Sequence, residues 1–412
     1  MTKRIVAGLI LTVWAFGLAP CPAVEDASSP PSADAPIQYL PLDAPAGMSQ
    51  AVVVQGQPLV HTRQLLPLDR AGKLVGEGAV DQQVEQVLDN LDAVLTAAGS
   101  GLNQLVRLNV YALAPATVDR VRERLAQRLD PAVRPALTAV LTPLPHRDAR
   151  VAVDAVAVAA DKGAAVALQR CETVAGDQDC ADAAVLPRGG VAYLSGMPAE
   201  VALSQSAVDK SLSNLAKMLG QLKLTPADVV QVKVFLRPAT AAVDVRRELK
   251  KYFPGQTTPP LVFVEWLAQP PVEIELIAHW PGAGEPAQGV RYFNPPELGL
   301  SPTFSRVALV DSPRQIYVSS LFARTASRGD DQARDVFAQL ETILGQAGSD
   351  LRHLVKATYY VSDDDAARGI DRARYRLFDP QRPPATSKLM THGVGQAGRT
   401  LTLDMIAVGR GQ

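Results

Sequence analysis

The stretch Leu105–Tyr111 reads LVRLNVY, and two similar stretches follow it along the chain. They are Val229–Phe235 (VVQVKVF) and Leu354–Tyr360 (LVKATYY), at offsets of 124 and 125 residues. A proline that follows each stretch recurs at the same two offsets: Pro135, Pro259 and Pro384. Two independent markers with one period indicate tandem domains. We therefore expect any site to be built three times, or to lie between copies.

Length and charge limit the class of protein. The chain has 412 residues, enough for three domains of roughly 120 residues that each bury a core. Its formal net charge of −1 gives no general attraction to nucleic acid or to an anionic membrane. The histidines show no metal-ligand spacing and there is no glycine-rich phosphate loop, so we expect no metal and no cofactor.

The N-terminus is predicted to be a signal peptide, residues 1–23. Lys3 and Arg4 precede the apolar run Ile5–Leu18, and Ala23 is a small residue at a plausible cleavage point. The run is shorter than the about 20 residues of a membrane span. We expect a periplasmic or secreted protein with no membrane attachment after cleavage; lipidation of Cys21 and a retained anchor remain as alternatives. Residues 24–36 are predicted to be a disordered tether.

Two cysteines remain beyond this leader, Cys171 and Cys180, on either side of a polar loop. Nearby cysteines in an exported protein indicate a disulfide. Two thiolates without a histidine cluster do not complete a tetrahedral metal site. The sequence therefore predicts a structural disulfide and no metal.

Each repeat has the same order of predicted elements: short strands, a long amphipathic helix, the repeated strand, a charge-rich helix and two closing strands. This order predicts an α+β domain, a mixed sheet with two helices on one face. The predicted domains are 37–160, 164–280 and 289–409, with a linker at 281–288. The face of the sheet without helices must be buried, so we expect the three copies to pack as an intramolecular pseudo-trimer. Such a chain is predicted to be a monomer with clefts between its copies.

Several segments carry a family resemblance through their order and spacing. They are Met48–Val52 (MSQAV), Leu91–Leu105 with its AAG turn, Arg134–Ala136 (RPA), Tyr193–Pro198 (YLSGMP), Glu273–Ala278 (EIELIA) and Arg382–Ala385 (RPPA). With them the mature chain resembles three fused copies of the RidA/YjgF family, the reactive intermediate deaminases. The resemblance implies a chorismate-mutase-like fold, sites at the interfaces of a trimer, and metal-independent hydrolysis of enamines and imines such as 2-aminoacrylate.

The resemblance also implies an arginine after Pro-Ala that binds the substrate carboxylate through paired hydrogen bonds. That position holds Leu137, Leu261 and Thr386. The late glutamate of the family remains only as Glu273, and Ser195 keeps a serine of the family's site. Glu273 and Ser195 are therefore the catalytic candidates, although both also fit an ordinary strand.

Other cations are candidates to replace the missing arginine. Lys388 follows Thr386 by two residues on the same predicted strand. Arg122, Arg246 and Arg372 align on the second helix of each repeat, where they would line three clefts and bind anions. The alternative is a solvated helix face with local ion pairs.

Two functions follow from these observations. One is an exported binder of small anionic metabolites whose interdomain deaminase sites have degenerated. The alternative is a deaminase-like hydrolase that releases ammonia from reactive enamines or imines. A ribonuclease or a translation inhibitor is disfavoured by the predicted export and by the nearly neutral charge.

Overall fold

The computed structural model describes residues 35–199, 206–253, 255, 257–282, 289–295, 299–325 and 328–410. The predicted signal peptide, nearly all of the predicted tether and most of the predicted linker lie outside these residues. Residues from Asp34 onward belong to one compact unit. No helix in the described part of the chain has the length and apolar character to cross a membrane.

The described residues form eighteen strands and six α-helices, in an order that repeats three times. The strands of the first repeat are β1 (Ile37–Leu40), β2 (Ala51–Gln55), β3 (Leu59–Thr62), β4 (Leu105–Ala112), β5 (Ala136–Leu141) and β6 (Val151–Val158). Those of the second are β7 (Ala167–Gln169), β8 (Ala183–Leu186), β9 (Gly190–Ala199), β10 (Val229–Leu236), β11 (Leu261–Glu265) and β12 (Val272–Trp280). Those of the third are β13 (Val290–Phe293), β14 (Val307–Val310), β15 (Arg314–Val318), β16 (Leu354–Val361), β17 (Ala385–Met390) and β18 (Leu401–Val408). The helices are α1 (Val80–Ala97), α2 (Pro115–Arg128), α3 (Ala207–Gln221), α4 (Ala242–Leu249), α5 (Gly329–Gln346) and α6 (Asp364–Leu377).

These strands form three mixed sheets of six strands with equivalent topology. Their orders are β5-β4-β6-β3-β8-β7, β11-β10-β12-β9-β14-β13 and β17-β16-β18-β15-β2-β1. The pair at one end of each sheet is parallel, as β4 with β5, and the other pairs are antiparallel. The predicted α+β class with mixed sheets is confirmed.

Each sheet takes its last two strands from a neighbouring repeat. β8 of the second repeat pairs with β3 of the first, and β14 of the third pairs with β9 of the second. β2 closes the ring by pairing with β15, where Val54 lies opposite Gln315. The boundaries predicted at 37–160, 164–280 and 289–409 thus divide the chain by repeat and not by sheet. The sequence does not indicate that strands are exchanged between repeats, because a strand has the same alternation of inward and outward residues whichever repeat supplies its partner.

Two helices cover one face of each sheet. The first helix of the first repeat is amphipathic, as predicted, and its apolar face is fully buried on the sheet: Val84, Val87, Leu88, Leu91 and Leu95. The equivalent face of α5 is buried in the same way: Val336, Phe337, Leu340, Ile343 and Leu344. α1 and α5 end just before Gly99 and Gly348, whose φ angles of 80° and 76° lie in the left-handed region that favours glycine. Helical periodicity therefore predicted both packing faces correctly.

The opposite faces of the three sheets pack on one another. One apolar cluster contains Val52, Val156, Val191, Ile277 and Val408, which come from all three repeats. A second cluster brings together Tyr111, Phe235 and Tyr360, which occupy equivalent positions on β4, β10 and β16. The three sheets thus share a central core around a pseudo-threefold axis, which is the predicted pseudo-trimer.

Buried ion pairs cross between repeats within this core. Arg107 on β4 pairs with Asp404 on β18, and Lys356 Nζ lies 2.8 Å from Glu275 Oε2. All four side chains are nearly inaccessible to solvent. Gln231 stands where the third cation would be, and its Nε2 donates a hydrogen bond to Thr62 O at 2.8 Å. At these equivalent positions, two of the three boundaries therefore carry a fully buried ion pair.

Candidate functional site

Three clefts lie where β5, β11 and β17 meet the end of a strand from another repeat. The first cleft is defined by Leu137, Ala139 and Ser320; the second by Leu261, Phe263 and Gln64; the third by Thr386, Lys388 and Gly196. Strand register makes Leu137, Leu261 and Thr386 equivalent positions of the three clefts. They pair with Leu108, Val232 and Ala357, which are equivalent residues of the repeated strand.

Serine hydroxyls join the repeats at two of these clefts. Thr386 N donates to Ser195 Oγ at 2.8 Å, and Ser195 Oγ in turn donates to Ser305 O. Ser319 makes the same pair of contacts at the first cleft, with Leu137 N and Ser49 O. Because the Ser195 hydroxyl is buried and engaged on both sides, the structure gives this catalytic candidate a role in joining the repeats.

The first cleft is open. It encloses about 500 Å³ and is lined mainly by apolar side chains, including those of Met48, Val118, Leu137 and Phe322. Arg122 on α2 also lines it, beside Asp119 with which it forms a half-exposed ion pair. Ala139 is small, so the space beneath Arg122 is not filled by protein.

The second cleft carries an arginine without a carboxylate partner among the described residues. The Arg246 guanidinium lies over the Phe263 ring, 5.1 Å from its centroid. Burial lowers the pKa of Arg246, while the nearby Cys180 thiol opposes that shift. The neighbouring Arg63 is already engaged by Asp182, with 2.6 Å between Nε and Oδ1. Phe263 here occupies the position of Ala139, so the ring fills the space that is open in the first cleft.

The third cleft contains an internal ion pair instead. Lys388 Nζ contacts both carboxylate oxygens of Asp371, at 2.9 and 2.7 Å. Arg374 contacts the same carboxylate at 2.5 Å and lies over the Tyr359 ring. The charge of Lys388 is therefore already paired with that of Asp371.

Glu273 lies at the inner end of the third cleft on β12. Its carboxylate packs against Gly196, where a Cβ would stand only 1.7 Å from Glu273 Oε1. Burial, and then repulsion from the Glu275 carboxylate, raise the pKa of Glu273 to about 7. Glu275 keeps a lowered pKa despite its burial because Lys356 and Lys233 stabilise its charged form. Glu273 is thus a buried carboxyl group that titrates near neutral pH.

Arg306 is a residue of this cleft that the sequence did not reveal. Its guanidinium lies 4.9 Å from the centroid of Phe304 and its NH1 is 3.7 Å from Met197 Sδ. The charges of Arg306 and Glu273 are close enough to affect each other's pKa values. The sequence does distinguish this position. Arg306 stands one residue before β14, whereas the equivalent residues of the other repeats, Gln50 and Asp182, are not cations.

A family model described as endoribonuclease L-PSP matches residues 41–159 and 303–407, which together make up more than half of the chain. The chain belongs to the RidA/YjgF family. A RutC family protein of Synechocystis is 34% identical over 124 residues, covering 30% of this chain and 94% of the relative. Protein DfrA of Myxococcus xanthus is 33% identical over 110 residues, covering 27% of this chain and 83% of the relative.

Solved structures of the RidA/YjgF family also match single repeats. YyfB of Yersinia pestis, from the conserved Rid protein family, is 25% identical with a TM-score of 0.26, covering 30% of this chain and 99% of its own. A YjgF family member of Neisseria meningitidis is 22% identical with a TM-score of 0.23, covering 30% of this chain and 97% of its own.

The residues expected of a RidA/YjgF site are divided among the three clefts. Leu137, Leu261 and Thr386 occupy equivalent positions after the proline, so no cleft has a guanidinium there. Ala152, Glu273 and Thr402 are likewise equivalent, and only the third cleft has a carboxylate at that point. The serine position is held by Arg63 in the second cleft, because Arg63, Ser195 and Ser319 donate equivalent backbone hydrogen bonds.

The predicted alignment of Arg122, Arg246 and Arg372 is wrong in the third repeat. The offsets of 124 and 125 residues place Asp371, not Arg372, at the position of Arg122. One residue on a helix turns a side chain by about 100°. Arg372 consequently points to the outer surface, where its NH2 lies 2.7 Å from Asp330 on α5.

The predicted disulfide is absent: Cys171 and Cys180 are free thiols. Cys171 packs in the apolar core of the first sheet, and Cys180 packs in that of the second. The two side chains point into different cores because the loop that joins β7 to β8 of the first sheet also contacts the second repeat, where Cys180 forms an isolated β-bridge with Thr258. Among the described residues no group of His, Cys, Asp and Glu side chains is arranged to hold a metal ion.

Proposed function

We propose that the protein binds small organic anions in the first cleft. The observation that carries the proposal is Arg122 at the side of an open, mainly apolar cleft of about 500 Å³. Such a volume, with an apolar lining and a few polar groups, is typical of small-molecule sites. The ligand class that fits is a monocarboxylate with a branched or aromatic apolar body.

The charge on Arg122 is accessible to such a ligand. Its partner Asp119 lies three residues away on the same exposed helix face, with side chains 35% and 55% exposed. Exposed pairs of this kind contribute only about 0–1 kcal/mol. A ligand carboxylate therefore competes with Asp119 at little cost, and the apolar body packs on Met48, Val118 and Leu137.

Binding without hydrolysis is the activity that this cleft supports. Leu137 replaces the family's carboxylate-binding arginine, and Thr402 of the third repeat stands at this cleft where Glu273 stands at the third, so the first cleft has no carboxylate at that position. Proton transfer needs a group within hydrogen-bonding reach of the reacting atom. The first cleft thus serves to hold an anion and lacks the family's proton-transfer group.

Thermal unfolding with acetate, isovalerate and benzoate tests the proposal. We expect isovalerate and benzoate to raise the transition temperature, since a ligand of the folded state stabilises in proportion to ln(1 + [L]/Kd). Acetate, which has little apolar surface, should have a smaller effect. Arg122→Ala and Ala139→Phe should each abolish the shift, the first by removing the cation and the second by filling the cleft as Phe263 does.

Arg372→Ala is the matched control, because Arg372 is a helix arginine on the outer surface. It should retain the full shift. The proposal is wrong if none of the carboxylates stabilises the wild type, or if Arg122→Ala and Arg372→Ala respond alike.

The second candidate function is deaminase-like hydrolysis at the third cleft. It is favoured by Glu273, whose pKa near 7 suits an acid–base group, and by the nearby Arg306 cation. Against it, Thr386 replaces the anchoring arginine and the Lys388–Asp371 pair occupies the cleft. Freshly generated 2-iminopropionate should be hydrolysed no faster than in buffer with free amines. Clear acceleration that Glu273→Gln abolishes would replace the binding proposal with catalysis.

Export of the protein is also proposed, on the strength of Lys3, Arg4 and the apolar run Ile5–Leu18. N-terminal sequencing of the protein from a periplasmic or secreted fraction should begin at Val24. A mature protein that retains the leader would contradict cleavage.

A further inference from the structure

Three short connections between strands meet at one end of the pseudo-threefold axis. They are residues 55–58, 187–190 and 311–314, one from each repeat, and each leads from a strand of one sheet to a strand of the next. Members of all three connections line a single pocket of about 260 Å³. Equivalent segments of three repeats surround one space only where the axis passes. This axial pocket is therefore distinct from the three clefts, each of which lies between two repeats.

Gln315 is the polar exception at this end of the core. The three strand pairs that border the connections are Leu59–Leu186, Val191–Val310 and Gln315–Val54. The five apolar side chains of these pairs belong to the central apolar cluster. Gln315 thus brings a polar group to a position where the equivalent residues of the other repeats, Leu59 and Val191, are apolar.

The amide group of Gln315 is held in place from one side. The residue is only 9% exposed, and its Oε1 lies 3.1 Å from the hydroxyls of both Tyr193 and Tyr317. Its Nε2 makes no hydrogen bond with the described residues, and it is not one of the polar atoms sealed from solvent. Because Gln315 lines the axial pocket, this N–H₂ group is a positioned donor that lacks an acceptor there.

Two opposite charges line the same pocket without contacting each other. The Arg188 guanidinium has a loose pair with Asp161, 3.5 Å between Nε and Oδ2, and both side chains are more than half exposed. Exposed pairs of this kind contribute little. The half-buried Asp311 carboxylate has no hydrogen bond or ion pair with any described residue, although its backbone N–H donates to Gly289 O. Both charges are therefore available to a ligand.

Each of these charges occurs in one repeat alone. The strand pairs above make the connections equivalent residue by residue, since four residues separate the bordering positions in every repeat. The counterparts carry no charge: Gly56 and Ser312 for Arg188, and Gln55 and Pro187 for Asp311. The axial pocket thus has one cation, one anion and one amide donor, an asymmetry that three identical subunits could not have.

From this arrangement we infer that the axial pocket binds a small zwitterion, an α-amino acid whose side chain has an oxygen acceptor, as threonine has. The ligand's carboxylate pairs with Arg188 and its ammonium group with Asp311. Its side-chain oxygen accepts a hydrogen bond from Gln315 Nε2, and its apolar atoms pack on Val54 and Leu59, which also line the pocket. This site is independent of the carboxylate site proposed in the first cleft.

Isothermal titration with L-threonine tests the inference on the full chain. We expect one site per chain, and no comparable binding of acetate or methylamine, each of which carries one of the two charges. Asp311→Asn should weaken the binding of L-threonine about tenfold or more, because a charge-assisted contact is lost. The matched control is Asp43→Asn at an exposed position, which should bind as the wild type does. Absence of binding, or equal binding by the two variants, would overturn the site.

L-Valine provides a second arm, because it has the shape of L-threonine without the hydroxyl. The wild type should prefer L-threonine, since L-valine leaves Gln315 Nε2 without an acceptor. Gln315→Leu, which introduces the residue of the first repeat, should lose this preference and still bind L-valine. A preference for L-threonine that persists in Gln315→Leu would show that Gln315 does not contact the ligand and would contradict the assignment. Because Asp311 has no side-chain partner among the described residues, Asp311→Asn tests the site even if Gln315→Leu does not fold.

Discussion

Lys356 and Glu275 belong to different repeats, and their charged groups lie 2.8 Å apart with side chains only 8% and 3% exposed. Glu275 also accepts a hydrogen bond from Ser387 Oγ at 2.8 Å. The pair connects the second and third sheets inside the shared core. A buried pair of this kind does not itself ensure stability, but losing one partner leaves a charge in an apolar interior.

Lys356→Met should therefore lower the free energy of unfolding by about 3–5 kcal/mol, because the buried Glu275 loses its ion-pair partner and only the more weakly acting Lys233 remains to stabilise its charge. The double variant Lys356→Met/Glu275→Leu should recover much of this loss. Urea unfolding measures both values. Arg247→Met, which removes an exposed pair with Asp244, is the control and should behave nearly as wild type; additive losses in the double variant would contradict the pairing.

The raised pKa of Glu273 predicts a pH dependence of stability. Its ordinary value of 4.5 rises to about 7 in the folded protein, so the folded state holds the proton more tightly than the unfolded chain. Stability should consequently fall as pH rises through this window, by about 3 kcal/mol at about 1.4 kcal/mol per pH unit. In Glu273→Gln this contribution is absent. Unfolding free energies at pH 5, 6, 7 and 8 test it, with the exposed Glu77→Gln as control; identical slopes in all three proteins would refute the assignment.

Gly196→Ala should destabilise the third cleft, since the added Cβ would stand 1.7 Å from Glu273 Oε1 and 2.4 Å from Glu273 Cδ. Displacing a buried carboxylate in this way should cost about 1–3 kcal/mol. Combining it with Glu273→Ala removes the clash, so the double variant should lose less than the two single losses added together. A double-mutant cycle measures the coupling, and a coupling near zero would show that the two residues do not meet.

Both cysteines should be unreactive in the native protein. Each is 7% exposed, and burial raises the pKa of Cys180 to about 11, which suppresses the reactive thiolate. Iodoacetamide should modify Cys171 and Cys180 only after unfolding, and dithiothreitol should leave the transition temperature unchanged. A proteolytic fragment that contains the two cysteines joined by a disulfide would contradict the structure.

The full chain should be a monomer in solution, because every sheet is completed by strands of the same chain. Sedimentation velocity should give the mass of one chain, and a mass three times larger would exclude it. Deleting residues 35–55 removes β1 and β2 and exposes the edge of β15. We expect that variant to self-associate, as unpaired edge strands do.

The sequence predicted those features that depend on local periodicity. The three repeats, the buried face of α1 and the clefts between copies all follow from spacing and from the need to cover a sheet face. The sequence could not show which repeat supplies the partner of each strand, because the residue pattern of β2 suits pairing with a strand of another repeat as well as with a strand of the same repeat. Arg372 was misplaced because the two offsets differ by one residue, and a one-residue error turns a helix side chain away from its cleft. Arg306 differs from its counterparts Gln50 and Asp182, but it was overlooked because its importance depends on Met197 and Glu273, which the second repeat contributes.

The pairing of β2 with β15 has a consequence for how the chain acquires its structure. Val54 and Gln315 pair although they are more than 250 residues apart in sequence. A nascent chain emerges in order, so β1 and β2 are made among the first elements and must wait until the first strands of the third repeat have been synthesised before their partner β15 exists. Bringing together such distant segments is slow, because loop-closure entropy must be overcome before the contact forms. Until β15 has been made, β1 and β2 have no sheet to join, so the ring of repeats cannot close before synthesis has reached the third repeat.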